Sequence, residues 1–190
     1  MRKCPVETAY SAALPPRAEA PDEPGWLNAA RCGEPWALEQ LYQSYQPQIY
    51  ALCFRLLERA EDAEDAVQST FIRAFRALPR FRGDSTARTW LYRIATNESM
   101  GILRRRRDPA PVEDRAAGSP DGTAQVVERL AVRAALARLT PDHRAILVLR
   151  LWEELSYTEI AAVLGISLPA VKMRLNRARA EFRRYYEDKP

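Results

Sequence analysis

Lys172, Asn176 and Arg177 recur along "SLPAVKMRLNRARAEF" on the side opposite Val171, Leu175, Ala178 and Phe182. Ammonium, amide and guanidinium groups on one face of a helix neutralise phosphates and hydrogen-bond base edges; they break no covalent bonds by themselves. The preceding stretch, "SYTEIAAVLGI", places such a helix. Ser156 and Glu159 have capping-box spacing. Ile160, Ala161 and Leu164 turn inward, Gly165 permits a sharp turn, Ile166 fills the core and Ser167 caps the next helix. Two helices hinged at a glycine, the second carrying Met173, Arg179, Arg183 and Arg184 on the same basic side, predict a helix-turn-helix that enters the major groove. A structural hairpin with a solvated basic face is the alternative. The hinge, the two caps and the buried stripe opposite the cations together favour DNA.

Little else in the chain could do covalent chemistry. His143 is the only histidine and falls in the polar first turn of a helix, where it reads as an exposed surface residue. No phosphate-cradling glycine loop and no metal-ligand spacing is visible. The three cysteines, Cys4, Cys32 and Cys53, are odd in number and far apart, which supports neither a zinc site nor a disulfide framework. No catalytic residue, metal or cofactor is expected, and an enzyme acting on nucleic acid is set aside. Cysteine usage, the lack of a signal-peptide core and the lack of a membrane-length apolar run predict a soluble, cytoplasmic protein.

The elements that position these residues read as all-α. The 190 residues carry a net charge of only +4, too small to argue for nucleic acid by itself, so the distribution of charge matters more. Residues 1–25, with Pro5, Pro15, Pro16, Pro21 and Pro24, predict a disordered tail. A short helix from Trp26 to Cys32 ends at Gly33. Leu38, Leu41, Tyr45, Ile49, Leu52 and Leu56 form a stripe at helical period, which Pro47 is expected to kink or split. Val67, Phe71, Ala74, Phe75 and Leu78 line a second helix that stops before Pro79. A third runs from about Thr86, buried through Trp90, Leu91, Ile94, Ala95 and Ile102, into the cations Arg104 to Arg107, which suit a helix C-terminus. Residues 108–124, rich in proline, glycine and acids, predict a flexible linker. Beyond it, Val127, Leu130, Ala134 and Leu136 mark a helix ending at Leu139. Thr140 and Pro141 then open another, with Ile146 to Leu149 apolar throughout. The expected organisation is a tail (1–25), a helical bundle (26–107), an acidic linker (108–124) and a helix-turn-helix bundle (125–186).

The first bundle does not resemble a ligand pocket. Asp62, Asp65, Gln68 and Ser69 share one polar edge of its second helix, facing solvent or a partner. The third helix mixes Trp90 and Tyr92 with Arg88, Arg93 and the arginine run, an interleaving suited to single-stranded nucleic acid. The other reading of Trp90 is a core residue at helical spacing.

"AEDAVQSTFIRAFRALPRFRGDSTARTWLYRIATN", followed by arginines, resembles the promoter-melting domain of extracytoplasmic-function sigma factors, and "LTPDHRAILVLRLWEELSYTEIAAVLGISLPAVKMRLNRARAEF" resembles their −35-reading domain. The similarity covers residues 26 to 186, in the family's order. It implies a dissociable subunit of bacterial RNA polymerase core that confers promoter choice. Asp62, Asp65, Gln68 and Ser69 would dock on the clamp helices of the largest polymerase subunit. The family usually carries an acid where Ser69 stands. Phe81, Arg82, Gly83, Asp84 and Ser85, with Arg88, Trp90 and Asn97, would capture a flipped base of the −10 element and so melt the duplex. Lys172, Met173, Asn176 and Arg177 would face −35 bases, Arg174 and Arg179 the phosphates. Serine is frequent in the family where Met173 stands, and methionine favours an apolar contact such as a thymine methyl. An anti-sigma factor, often membrane-anchored, is the implied regulatory partner. No insertion of the chain itself into a membrane is implied, and the end at Pro190 leaves no appended sensor domain expected. The competing reading is a helix-turn-helix regulator that binds duplex DNA without polymerase, and it requires a dimer surface.

Overall fold

The computed structural model of the protein describes residues 25–106 and 124–187, with side chains from residue 130 onward in the second segment. The expected tail and linker lie outside the described residues. Among those described, every regular element is a helix, and the chain divides into two compact units, one built mainly from residues 25–106 and the other from residues 124–160 and 166–187.

In the first unit, α1 (Trp26–Arg31) stops at Gly33, whose φ of +84° is the left-handed conformation that glycine adopts without strain. The amides of Gly33 and Glu34 donate to the Ala30 and Ala29 carbonyls, the paired bonds of a Schellman ending. Next, α2 (Pro35–Leu57) starts with proline in its first turn and runs unbroken through Pro47. The expected split does not occur. Tyr45 and Ile49, flanking the proline, and Leu41, Leu52 and Leu56 are all fully buried, so packing of one continuous stripe outweighs the roughly 3 kcal/mol that an interior proline costs. Helix α3 (Ala60–Ala77) ends in a 3-10 turn over Leu78–Arg80, as Pro79 requires. Thr86 caps α4 (Ala87–Arg105), its hydroxyl accepting from the Thr89 amide at 3.2 Å.

Helices α2, α3 and α4 pack on one another. The core side of α4 differs from expectation: Ala87, Thr89, Leu91, Tyr92, Ala95, Thr96 and Ser99 are buried, while Trp90, Ile94 and Ile102 are half-buried. Leu91 and Tyr92 fill the core side together with the small Ala87, Ala95 and Ser99, and Trp90, Ile94 and Ile102 flank it.

In the second unit, α5 (Ala124–Ala137) buries Val132, Ala135 and Leu136, with Leu139 just beyond its end. Leu130 and Ala134, which also mark this helix in the sequence, are exposed. The alanine-rich run supports two helical stripes, and the one carrying Leu136 and Leu139 packs. Helix α6 (Pro141–Leu151) is capped by Thr140, whose hydroxyl accepts from the His143 amide at 3.3 Å, and it buries Ile146 to Leu149. Arg144 reaches back to donate to the Leu136 and Ala137 carbonyls (3.1 and 2.8 Å), satisfying acceptors that α5 leaves open at its end. Then come α7 (Tyr157–Leu164), a turn at Gly165 with φ +65°, and α8 (Leu168–Glu187).

Candidate nucleic-acid interface

The capping box that starts α7 forms in both directions. The Ser156 amide donates to a Glu159 carboxylate oxygen at 2.8 Å, and the Glu159 amide donates to the Ser156 hydroxyl at 3.2 Å. Arg150 holds α7 to α6, donating to the Leu155 carbonyl at 2.9 Å while its guanidinium lies 5.2 Å from the Tyr157 ring centre. Ser167 then receives the Ala170 amide at 3.4 Å and opens α8. Its core face is Val171, Leu175, Ala178 and Phe182, all buried, and α8 packs on α6 and α5. Lys172, Met173, Asn176, Arg177 and Arg179 are exposed. Met173 retains 51% of its surface, and Leu168 at the start of the helix 41%. One face therefore offers donors, two apolar tips and several cations to a groove.

Arg174 stands apart from the other basic residues of this helix. It is half-buried on the flank of α8, with a guanidinium nitrogen 3.7 Å from a carboxylate oxygen of Asp142 in the first turn of α6. One turn-pair further along, Glu181 takes a hydrogen bond from the His143 ring and another from the Tyr185 hydroxyl at 3.1 Å. His143 is thus a half-buried link between α6 and α8, not the exposed residue expected. The His143 hydrogen bond, joined by that from Tyr185 and the nearby charges of His143 and Arg184, holds the Glu181 carboxyl below its ordinary value, against an opposing push from partial burial.

In the first unit, the loop after the 3-10 turn exposes Arg82, Gly83 and Asp84, with Ser85 half-buried. Gly83 has a φ of +80° and open space where a Cβ would stand, so the loop reverses through a conformation favoured by glycine. Phe81 is turned inward at 8% exposure, and its ring centre lies 4.9 Å from that of Trp90. Trp90 is half-buried on this support. Tyr92 is fully buried and unavailable for stacking; Arg88 lies over its ring at 4.9 Å and donates to its hydroxyl at 3.4 Å. The sequence pattern could not distinguish these two rings because both neighbour arginines. Trp90, Arg93, Asn97 and Arg104 fall on one outer face of α4 at helical spacing, with Arg93, Asn97 and Arg104 exposed.

Asp62, Asp65, Gln68 and Ser69 all line one open groove between α3 and α4, about 420 Å³ in volume. Asp65 and Gln68 are exposed and Ser69 is half-buried. Asp62 is instead engaged inside the unit, paired with Arg106. The α4 wall contributes Glu98, Ile102 and Arg105, which sequence reading did not assign to this surface. Arg73 braces that wall through a 3.0 Å ion pair with Glu98. Ile72, 44% exposed, shares the outward face of α3 with Asp65 and Gln68 and was also missed. Its signal was available: it falls outside the stripe of Val67, Phe71, Ala74 and Leu78.

The family description Sigma-70 region 2 matches residues 41–108, and Sigma-70, region 4 matches residues 129–182. The RNA polymerase sigma factor YlaC of Bacillus subtilis is 36% identical over 157 residues, covering 78% of this chain and 91% of that protein. The ECF RNA polymerase sigma factor SigM of Mycobacterium tuberculosis is 36% identical over 160 residues, covering 83% and 81%. Among solved structures, CnrH in complex with the cytosolic domain of CnrY superposes with a TM-score of 0.68 at 29% identity, covering 87% of this chain and 97% of that one. The Bartonella quintana protein RpoE, solved with the anti-sigma factor NepR, shares the fold at a TM-score of 0.62 and 24% identity, covering 80% and 98%.

Proposed function

The chain belongs to the extracytoplasmic-function RNA polymerase sigma factors, which direct polymerase to promoters, and from that premise we propose how its two units divide the work. The second unit reads the −35 element. The observation that carries this is the two-sidedness of α8: Val171, Leu175, Ala178 and Phe182 are buried while Lys172, Met173, Asn176 and Arg177 face solvent directly after a capped, glycine-hinged turn. Lys172, Asn176 and Arg177 donate to base edges, Met173 meets a thymine methyl, and Arg179 meets phosphate. Arg174 contributes to phosphate binding only by giving up part of its hold on Asp142.

The first unit binds core polymerase and opens the −10 element. Asp65, Gln68 and Ser69 dock through the α3–α4 groove, and Asp62 shapes the groove by holding Arg106. Unstacking a base costs a few kcal/mol, which a receiving pocket must offset. Arg82, Gly83, Asp84 and Ser85 form the mouth of that pocket, Trp90 on Phe81 provides its apolar wall, Arg88 at the start of α4 lies beside the mouth, and Asn97 extends the contact along α4. The chain performs no covalent catalysis itself; bond formation belongs to the polymerase.

An anti-sigma protein holds the chain inactive until a signal arrives, a reading supported by family membership. The chain acts in the cytoplasm, consistent with the fact that no helix among the described residues is long and apolar enough to cross a membrane. Run-off transcription with bacterial core polymerase over a promoter library tests the whole reading. Start-site-specific transcripts that need this chain are expected. A folded sample that neither binds core nor yields such transcripts overturns it.

A further inference from the structure

Among the described residues, Gly101 is the one glycine that stands inside a helix. Gly33, Gly83 and Gly165 serve turns with positive φ, whereas Gly101 keeps ordinary helical backbone within α4, where glycine is the least favoured residue after proline. Packing inside the protein does not ask for it. Beyond its own helix backbone and chain neighbours, a Cβ built at Gly101 would meet only the Arg105 guanidinium, at 3.5 Å. That is an ordinary contact with the end of a flexible side chain, and no atom of α2 or α3 comes within 4 Å of the same point. What the position shares with its neighbours is a face. Trp90, Asn97, Gly101 and Arg104 follow one another at intervals of seven, four and three residues, which sets them along one side of α4. Trp90 is half-buried on Phe81, while Asn97, Arg104 and Arg93 on this side are exposed. The stripe therefore runs from an aromatic ring through an amide to cations, and at Gly101 it drops to bare helix backbone with the Arg105 guanidinium at its border.

We propose that Gly101 is a positioning residue for promoter opening: the notch it leaves lets the phosphodiester backbone of the opened −10 strand cross α4 directly against the helix, between Asn97 and the cations Arg104 and Arg105. Close approach to a ligand is the use of glycine that remains once turns and internal packing are set aside. Gly101 lies about 17 Å along the helix from Trp90, a span of a few nucleotides of extended strand. A strand seated in the notch thus keeps one base within reach of the Trp90 ring while its phosphate meets the arginines. Coulomb attraction weakens with distance, so a side chain at position 101 would lift the phosphate from both guanidinium groups. The alternation of ring and cations along the stripe suits single-stranded nucleic acid, whose bases stack and whose phosphates pair, better than an acidic peptide. The helix forgoes some stability here in return for this approach. The inference rests on the reading of the first unit as the one that opens the −10 element.

The test uses holoenzyme assembled from the full chain and an excess of bacterial core polymerase. Its probe is a fork DNA carrying the promoter selected from the library, duplex upstream and single-stranded across the −10 element. Fork affinity is measured for the wild type, G101A and G101L, together with thermal unfolding of each free chain. G101A should unfold about 2–6 °C higher than wild type, because alanine replaces a glycine inside a helix. Its holoenzyme should nevertheless bind the fork about two- to fivefold more weakly, and that of G101L about tenfold or more, through loss of phosphate contact. Forks with one phosphate at a time replaced by a neutral methylphosphonate then locate the contact. At least one linkage should matter to the wild type and not to G101L, whose strand is already lifted from that place. Fork affinities equal to wild type in both variants overturn the proposal, as does a loss in G101L with the methylphosphonate profile of the wild type. A lower unfolding temperature in G101A also overturns it, since internal packing would then need the glycine. If G101L fails to fold, G101A decides by the same readings. Failure of the wild-type holoenzyme to prefer this fork over one of unrelated −10 sequence overturns the −10 assignment and this inference with it, whereas preference with unaffected variants overturns the inference alone.

Discussion

Arg106, directly after α4, is bound to two neighbours: its guanidinium pairs with Asp62 on α3 and donates to the Leu57 carbonyl at the end of α2 at 3.1 Å. One side chain thus ties the end of α4 to the end of α2 and to the first turn of α3. It also separates Asp62 from the other acids near it on α3. Asp62 is three-quarters covered by this contact, and Asp65 one turn later faces solvent.

That separation predicts opposite consequences for two neighbouring carboxylates. Asp62→Asn and Arg106→Ala should each lower unfolding stability by about 1–3 kcal/mol, between the values for exposed and fully buried ion pairs. Asp65→Ala should change stability by less than about 0.5 kcal/mol, as expected of an exposed position, while weakening core-polymerase binding. Urea unfolding and a core-binding titration on the same three proteins separate the effects. Unchanged core affinity in Asp65→Ala removes that residue from the docking surface.

The Glu181 carboxylate gives the second unit a stability that depends on pH on the acid side. A carboxyl held below its ordinary value favours the folded state wherever it is ionised in both states. Its contribution is therefore present above the ordinary carboxylate range and is lost as pH falls through the lowered value. Wild type should lose more stability than Glu181→Gln between about pH 5 and pH 3, when thermal unfolding is followed in both. Parallel curves would mean that the carboxylate gains nothing from its partners.

Gly165 combines a φ of +65° with open space where a Cβ would be placed, so any cost of substitution is one of backbone conformation and not of collision. Gly165→Ala should destabilise by about 1–2 kcal/mol, and Gly165→Asn by less, since asparagine tolerates the left-handed region better. Equal losses for the two variants would point to an effect on the unfolded chain instead.

The sequence was most legible where one physical requirement has one solution. The capping box at Ser156 and Glu159, the Thr140–Pro141 helix start, the hinge at Gly165 and the core face of α8 all form as read. It was least legible where several rotations of a helix bury comparable apolar surface. On α5 the alanine-rich run concealed that Leu130 faces outward, and on α4 the buried face centres on Leu91, Tyr92 and Ala95 and leaves Trp90 and Ile94 half-buried. Long-range ion pairs were invisible for a different reason. The partners His143 and Glu181 are far apart in the chain, and nothing in local periodicity joins them. The α3–α4 groove was half visible: its α3 wall shows as a polar edge at helical spacing, but Glu98, Ile102 and Arg105 join it only once the two helices are packed.

The two arginines Arg174 and Arg177 lie about one turn apart on α8 but differ in burial and partner, and binding measurements should tell them apart. Arg177 is exposed on the face that also carries Met173, while Arg174 is half-buried toward Asp142. Arg177→Ala should cost about 1–3 kcal/mol on the preferred −35 duplex and relax discrimination at one base position, as loss of a bidentate guanine contact does. Arg174→Ala should weaken all duplexes alike and reduce the salt dependence by about one counterion, as loss of a phosphate contact does. Because Asp142 competes for that guanidinium, Asp142→Ala should strengthen binding to every sequence by a similar small factor and leave base preference unchanged. Holoenzyme affinities for the preferred duplex and for single-base variants, measured across a salt series, supply all three comparisons. A base-specific loss in Arg174→Ala would mean that α8 rolls on binding so that its flank faces the groove.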